Sequence, residues 1–438
     1  MLCRQSFHHW LRKTMDSDKP ESILRGYRVL DMAEGGCMMC GKTLGNLGAD
    51  VIMVEPPCGS PTRSNEPFYH DTPDPEKSLN WLFFGLNRRG ITLNLNSEEG
   101  RDIFRRLVRT ADFVIESFEP GYMARLGLGY SHLNEIKPGI IMTSITPFGQ
   151  SGPYSHYKAT DIVGVALSGM MSIYGEADRA PLRISAPQFY MQGGLQAAVG
   201  TMVAHYYREL TGEGQLVDQS CQQAIILTLM NVAETWDLNR TNIRGHGPGM
   251  ITPRPKPHGP LFTRSIFPCK DGYVLTRITG STAGNVASTK ALVDWANQNG
   301  YMTELKDFDW SALDAHTLHQ EDSDHMASLL EEFLKTRTKA ECLERAVKHS
   351  IMMVPVNDTR DVLECPQMAY RGLFQRLDHP ELGQGESLPY PGFPVMMNGN
   401  RPKICRRAPG IGEHNEAILG ELGITSKHMF LLKARGII

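Results

Sequence analysis

Residues 27–56 read YRVLDMAEGGCMMCGKTLGNLGADVIMVEP. Two apolar runs, VLDMA and DVIMVEP (Asp50–Pro56), are strand-like, and the segment between them, Cys37–Leu47, reads as a helix. The same alternation continues outward. SEEGRDIFRRLVRTA (97–111) puts Ile103, Leu107 and Val108 on one helical face, with Ser97 as N-cap and acids behind it. DFVIESF (Asp112–Phe118), a short helix around Tyr122–Leu126 and IIMTSITPFG (Ile140–Gly149) follow. Strand and helix recur at the spacing of right-handed β-α-β units, which predicts an α/β chain with a parallel, Rossmann-like sheet.

The opening stretch also contains GCMMCGKT (36–43), which matches two motifs at once. As a phosphate loop, G-x-x-x-x-G-K-T needs its glycines in a loop and its lysine at the tip of a full helix. Here the helix starts near Cys37, so Lys42 falls inside it, and only LGNL remains before Gly48. As a dithiol, Cys37 and Cys40 lack the aromatic and proline of a thioredoxin-like motif, and packing against the sheet is the simpler reading. Cys58 alone does not complete a zinc site with them, so no metal is expected.

Beyond the first half, Leu195, Ala198, Val199, Met202, Val203 and Tyr206 fall at helical spacing, and Gly212 stops that run. RGHGPGMITPRPKPHGP (244–260) reads as a linker or active-site loop, and strands and charged helices beyond it form a smaller second domain. The 438 residues have room for two domains. A formal charge of −3 gives no electrostatic case for nucleic acid or an anionic membrane. No apolar run reaches the roughly 20 residues of a membrane helix. Nine cysteines without even spacing suit reduced thiols, hence a cytoplasmic protein. The N-terminus, with no sustained apolar core, reads as a tail or an extension ahead of Met15.

A more specific pattern runs through the whole chain: LGNLGADVIMVEPPCGSPTR, GLNRRGITLNL, ADFVIESFEPGYMARLGLGY, TSITPFGQSGPY, TDIVGVALSGMMSIYG and YYRELTGEGQLVDQS, in that order, then DVLECPQMAYRGLF and APGIGEHNEAIL. In these motifs the chain resembles the family III CoA-transferases, over about Leu24 to Gly423. The resemblance implies a tail (1–20), a large Rossmann-like CoA-binding domain (21–240), a Gly/Pro linker loop (241–257) and a small α+β domain (258–377). Residues 378–438 would return to the large domain, and two subunits would interlock like rings. It implies coenzyme A and its thioesters as substrates, with no covalently bound cofactor. By motif position Arg125 and Lys158 would be the basic CoA contacts, with Leu93, Ser117 and Phe118 lining the groove and Arg88 nearby.

In that family one aspartate attacks the thioester to give a mixed anhydride; CoA thiolate returns to form an aspartyl-CoA thioester, and the acceptor acid takes over. The aspartate stands four residues before a glycine of the long helix that precedes R-x-x-T-G-x-G-Q. Here the glycine is Gly194, the motif is RELTGEGQ, and the position falls on Tyr190. No Asp or Glu lies between Arg183 and Arg208. A phenol with pKa near 10 is about 0.1% ionised at pH 7 and would give an aryl ester, not an anhydride. The acid/base pair of the racemase branch is missing too, since its positions hold Thr160 and Tyr190.

Three readings follow. The chain is the subunit lacking the nucleophile in a heteromeric CoA-transferase whose related partner carries the aspartate, as in succinyl-CoA:benzylsuccinate CoA-transferase. Alternatively it is active, alone or as a homodimer, through another carboxylate, with Glu34 and Asp161 as candidates. Or it binds CoA esters without chemistry. Gln188, Tyr190 and Gln192 would then hydrogen-bond a substrate carboxylate. His246 and His258, in the Gly/Pro loop, would face substrate only if that loop covers the site.

Overall fold

The structure is a computed structural model describing residues 22–176, 178–252, 254, 259–397 and 401–438. Its first half alternates β1 (Arg28–Met32), α1 (Met39–Asn46), β2 (Asp50–Glu55), β3 (Arg88–Thr92), α2 (Glu98–Val108), β4 (Phe113–Glu116), β5 (Ile141–Thr146), α3 (Asp161–Leu167), α4 (Phe189–Thr211), β6 (Leu216–Ser220) and α5 (Cys221–Leu227). The six strands form one parallel sheet in the order β3-β2-β1-β4-β5-β6. Leu30 of β1 lies between Ile52 of β2 and Val114 of β4.

The central strands are buried almost end to end, because a parallel sheet carries cover on both faces. This explains why VLDM and VIMV show no polar alternation. Helix α2 packs Ile103, Phe104, Leu107 and Val108 inward, and Ser97 Oγ accepts the Gly100 N–H at 3.0 Å. The side chain of Asp31 sits wholly inside the fold, where an unpaired charge would be costly. Arg88 meets it at 2.7 Å and donates also to Met38 O at 2.6 Å and to Phe84 O.

The chain divides into two compact units: residues up to Met170 with Arg183–Glu234 and Arg371–Ile438, and Met171–Leu182 with Thr235–Tyr370. In the first, the C-terminal return closes along β3. Trp81 Nε1 donates to Pro409 O at 3.1 Å, and Asn415 Oδ1 accepts the Thr92 N–H at 2.9 Å. The second has a three-stranded antiparallel sheet (Ile266–Cys269, Gly272–Thr276, Met353–Val356). Its core includes Phe267, Val274, Leu292, Trp295 and Phe333. Gly249–Thr252, expected within a linker, is instead a strand paired with Leu261–Arg264. Among the described residues no helix is long and apolar enough to cross a membrane.

Candidate active site

Strand order reverses between β1 and β4, so their carboxyl ends diverge and leave a crevice, the place where open α/β sheets bind ligands. Glu34 follows β1 there, and its backbone N–H donates to Ser117 Oγ, just past β4, at 2.9 Å. That bond ties the two sides of the crevice together.

The Glu34 carboxylate is held on one oxygen. Oε2 accepts from Ser60 Oγ at 2.5 Å and from Thr62 Oγ1 at 2.6 Å, and Thr62 Oγ1 also accepts the Gly35 N–H at 2.8 Å. Burial raises its pKa, and the two hydroxyl groups oppose that rise only in part. Ser60 and Thr62 come from PPCGSPTR, and nothing in the local sequence announces their pairing with Glu34. Glu116, the last residue of β4, was also missed by sequence reasoning. It reads there as one more residue of an apolar strand, yet burial pushes its pKa up to about 7 despite bonds from Ser144 and the Phe118 N–H, with Asp218 adding to the rise.

Helix α4 begins on the same side. Its first turn lies so close to the 3-10 turn Gly35–Met38 that a Cβ on Gly36 would stand 2.6 Å from Met191 N. Tyr190 occupies that first turn. Its hydroxyl donates to Ala159 O at 2.6 Å, next to the exposed Lys158, and its ring meets Phe189 edge-on with centroids 5.0 Å apart. Burial drives the phenol pKa further upward, away from any phenolate. The side chain at the expected nucleophile position is therefore a packed hydrogen-bond donor.

The other expected site residues divide sharply. Asp161 is structural: Oδ1 accepts the N–H groups of Gln188 and Phe189 at 2.7 and 2.9 Å, and Oδ2 faces Arg183 at 3.6 Å. One oxygen of this carboxylate is thus committed to the start of α4, a capping role. Arg88 is likewise corrected, since its guanidinium is fully buried on Asp31 and cannot reach a soluble ligand. Leu93 belongs to the hydrophobic core, and its N–H is bonded to Glu55 O at 2.7 Å, so its side chain lines no groove. Phe118, Tyr122 and Arg125 lie on one segment: the two half-buried rings are tilted 39° with centroids 4.7 Å apart, and exposed Arg125 pairs with Glu119 at 2.7 Å.

Neither opening motif survives as a site. Lys42 is buried inside α1 with its ammonium 4.6 Å from the Phe83 ring centre, and burial lowers its pKa to about 8. Cys40 faces Thr201 Oγ1 at 3.8 Å, and Cys37 has Cys221 as its thiol neighbour. Both thiols are held neutral, Cys37 by its hydrogen bond with Cys221 and by burial, Cys40 by burial. His246 Nδ1 is buried without a hydrogen-bond partner among the described residues, and His258 lies outside them.

A parallel sheet whose strand order reverses between β1 and β4 defines a Rossmann-type fold. The chain belongs to CoA-transferase family III, whose model matches residues 24–415. It is 34% identical over 401 residues to the BbsE subunit of succinyl-CoA:(R)-benzylsuccinate CoA-transferase of Thauera aromatica, covering 91% of this chain and 93% of that one. It is 31% identical to formyl-CoA:oxalate CoA-transferase of Streptomyces coelicolor, over 95% and 99% of the two chains. Among solved structures, a CAIB/BAIF family protein from Brucella suis superposes with a TM-score of 0.76 at 28% identity, covering 93% of this chain and 100% of that one.

Proposed function

We propose that this chain is the subunit of a heteromeric CoA-transferase that lacks the nucleophile, binding CoA thioesters and supporting a related subunit that carries the aspartate. The observation that carries this reading is Tyr190. It stands on the first turn of α4, where the family's aspartate belongs, and its hydroxyl is committed to Ala159 O. The CoA ligand would lie over the β1–β4 crevice, with Phe118 and Tyr122 against its apolar parts and Arg125 and Lys158 at its phosphates. The resemblance to a chain named as a subunit of such an enzyme supports the same reading.

The test is CoA exchange between dicarboxylic or aromatic acids and their thioesters, with the chain alone and with a related CoA-transferase subunit that carries the aspartate. Exchange only in the mixture is expected. Robust turnover by the chain alone would overturn the reading.

One observation favours a second reading, an active chain using Glu34. Its carboxylate is held on a single oxygen at the crevice, an arrangement that suits an oriented nucleophile. A hydroxylamine-sensitive acyl adduct on Glu34 during turnover would establish it, and turnover without such an adduct would remove it.

A further inference from the structure

The amino-terminal edge of the sheet, opposite the crevice, carries a groove of about 1240 Å³ beside the starts of β2 and β3. Six cationic side chains line it: Arg25, Arg89, Arg371, Arg401, Lys403 and Arg406. Arg89 is compensated by Asp50 at 2.6 Å, the one carboxylate in the lining, and by Glu421 at 3.0 Å, so the excess rests on Arg371, Arg401, Lys403 and Arg406. Clustered like charges in a concave wall repel one another and focus a positive field outward. Such an excess has an electrostatic cost unless a ligand brings compensating charge.

The cations are presented on a fixed frame. Asn87, at φ 59°, accepts the N–H groups of Cys405 and Arg406 at 2.7 and 3.1 Å and donates to Lys403 O at 3.2 Å. Gln375 Oε1 accepts the Ile404 N–H at 3.0 Å from the other side. Lys403 and Arg406 are thus held by backbone bonds on both flanks while their side chains remain exposed. Arg401 donates to Arg371 O at 2.9 Å and to Phe393 O, yet its buried Nε has no partner among the described residues.

We propose that this groove is a second anion site, distinct from the CoA crevice, for a small molecule bearing a polyphosphate, such as a nucleoside diphosphate or triphosphate. Arg371, Lys403 and Arg406, all in the lining, suit a ligand whose charge is spread over more than one phosphate. Arginine forks match phosphate oxygens two at a time. Ile23 and Met396, both exposed in the same lining, supply apolar surface for a ring. CoA carries a pyrophosphate as well, so the experiment separates the two sources.

Inorganic pyrophosphate, ADP and CoA are titrated calorimetrically into the full chain, and pyrophosphate is titrated again after saturation with CoA. Pyrophosphate and ADP are expected to bind, to remain bound at saturating CoA and to weaken steeply with salt. The double variant Lys403→Gln/Arg406→Gln is expected to lose about tenfold or more in pyrophosphate affinity, at ~1.4 kcal/mol per decade, with CoA affinity unchanged. Arg371→Gln, at another exposed residue of the lining, tests the same point independently should the double variant fold poorly. Displacement of pyrophosphate by CoA, unchanged affinity in these variants, or no binding at millimolar pyrophosphate would each overturn the proposal.

Discussion

At the scale of single residues, the site is defined by carboxyl groups whose surroundings the sequence does not display. Glu116 ends a strand that reads as plain apolar sheet, yet its pKa stands near 7 because burial opposes its charge. A folded-state pKa raised above the unfolded value means stability is full below the unfolded pKa. It is then lost as pH climbs through the folded one. The unfolding free energy should therefore fall between about pH 4.5 and pH 7. Glu116→Gln keeps an oxygen for the Phe118 N–H and cannot ionise, so it should flatten this slope, with a difference of up to ~3 kcal/mol relative to wild type appearing at pH 8 and absent at pH 4. Urea denaturation at the two pH values measures it, and parallel pH profiles would refute the assignment. The absence of an aspartate at Tyr190 was legible from sequence, since it needed only a motif position. The commitments of Asp161 and Arg88 were not, because each depends on a partner 27 or more residues away.

Among the elements, the β-α-β order was legible because each unit announces itself locally: an apolar run, a cap, an amphipathic face. Less legible was the closeness of α4 to the turn after β1, which rests on backbone meeting backbone. A Cβ on Gly36 would lie 2.6 Å from Met191 N, and one on Gly194 would lie 2.7 Å from Gly36 O. The turn and the helix therefore touch through glycines on both sides. Gly36→Ala should push the first turn of α4 outward, costing about 1–3 kcal/mol as overpacking does and breaking the bond from Tyr190 to Ala159 O. A lowered urea midpoint with weaker CoA binding is expected; wild-type stability and affinity together would show that the contact has slack. The strand at Gly249–Thr252 was missed because Gly and Pro dominate its surroundings, and turn-forming composition hides a short antiparallel pair.

On the scale of the whole molecule, α4 poses a question that the isolated chain leaves open. Its inward face packs on the sheet, but Val199, Val203, Tyr206 and Leu210 line its other face at spacings of four, three and four residues, each at least 57% exposed. Leu227, the last residue of α5, and Met230 just beyond it are exposed as well, at 68% and 85%. A contiguous apolar stripe of this length on a 23-residue helix is the mark of a protein interface. On the heteromeric reading proposed above, a related subunit would cover this stripe and bring a second helix of this kind, with the aspartate, into the enzyme. The double variant Val203→Glu/Tyr206→Glu places two charges on the stripe without entering the chain's own core. It should shift the co-expressed complex to smaller species by light scattering after size exclusion, abolish CoA exchange in the mixture and leave the helical circular dichroism of the separated chain unchanged. Full assembly of this variant would mean that the partner docks elsewhere, and the stripe would then need another explanation.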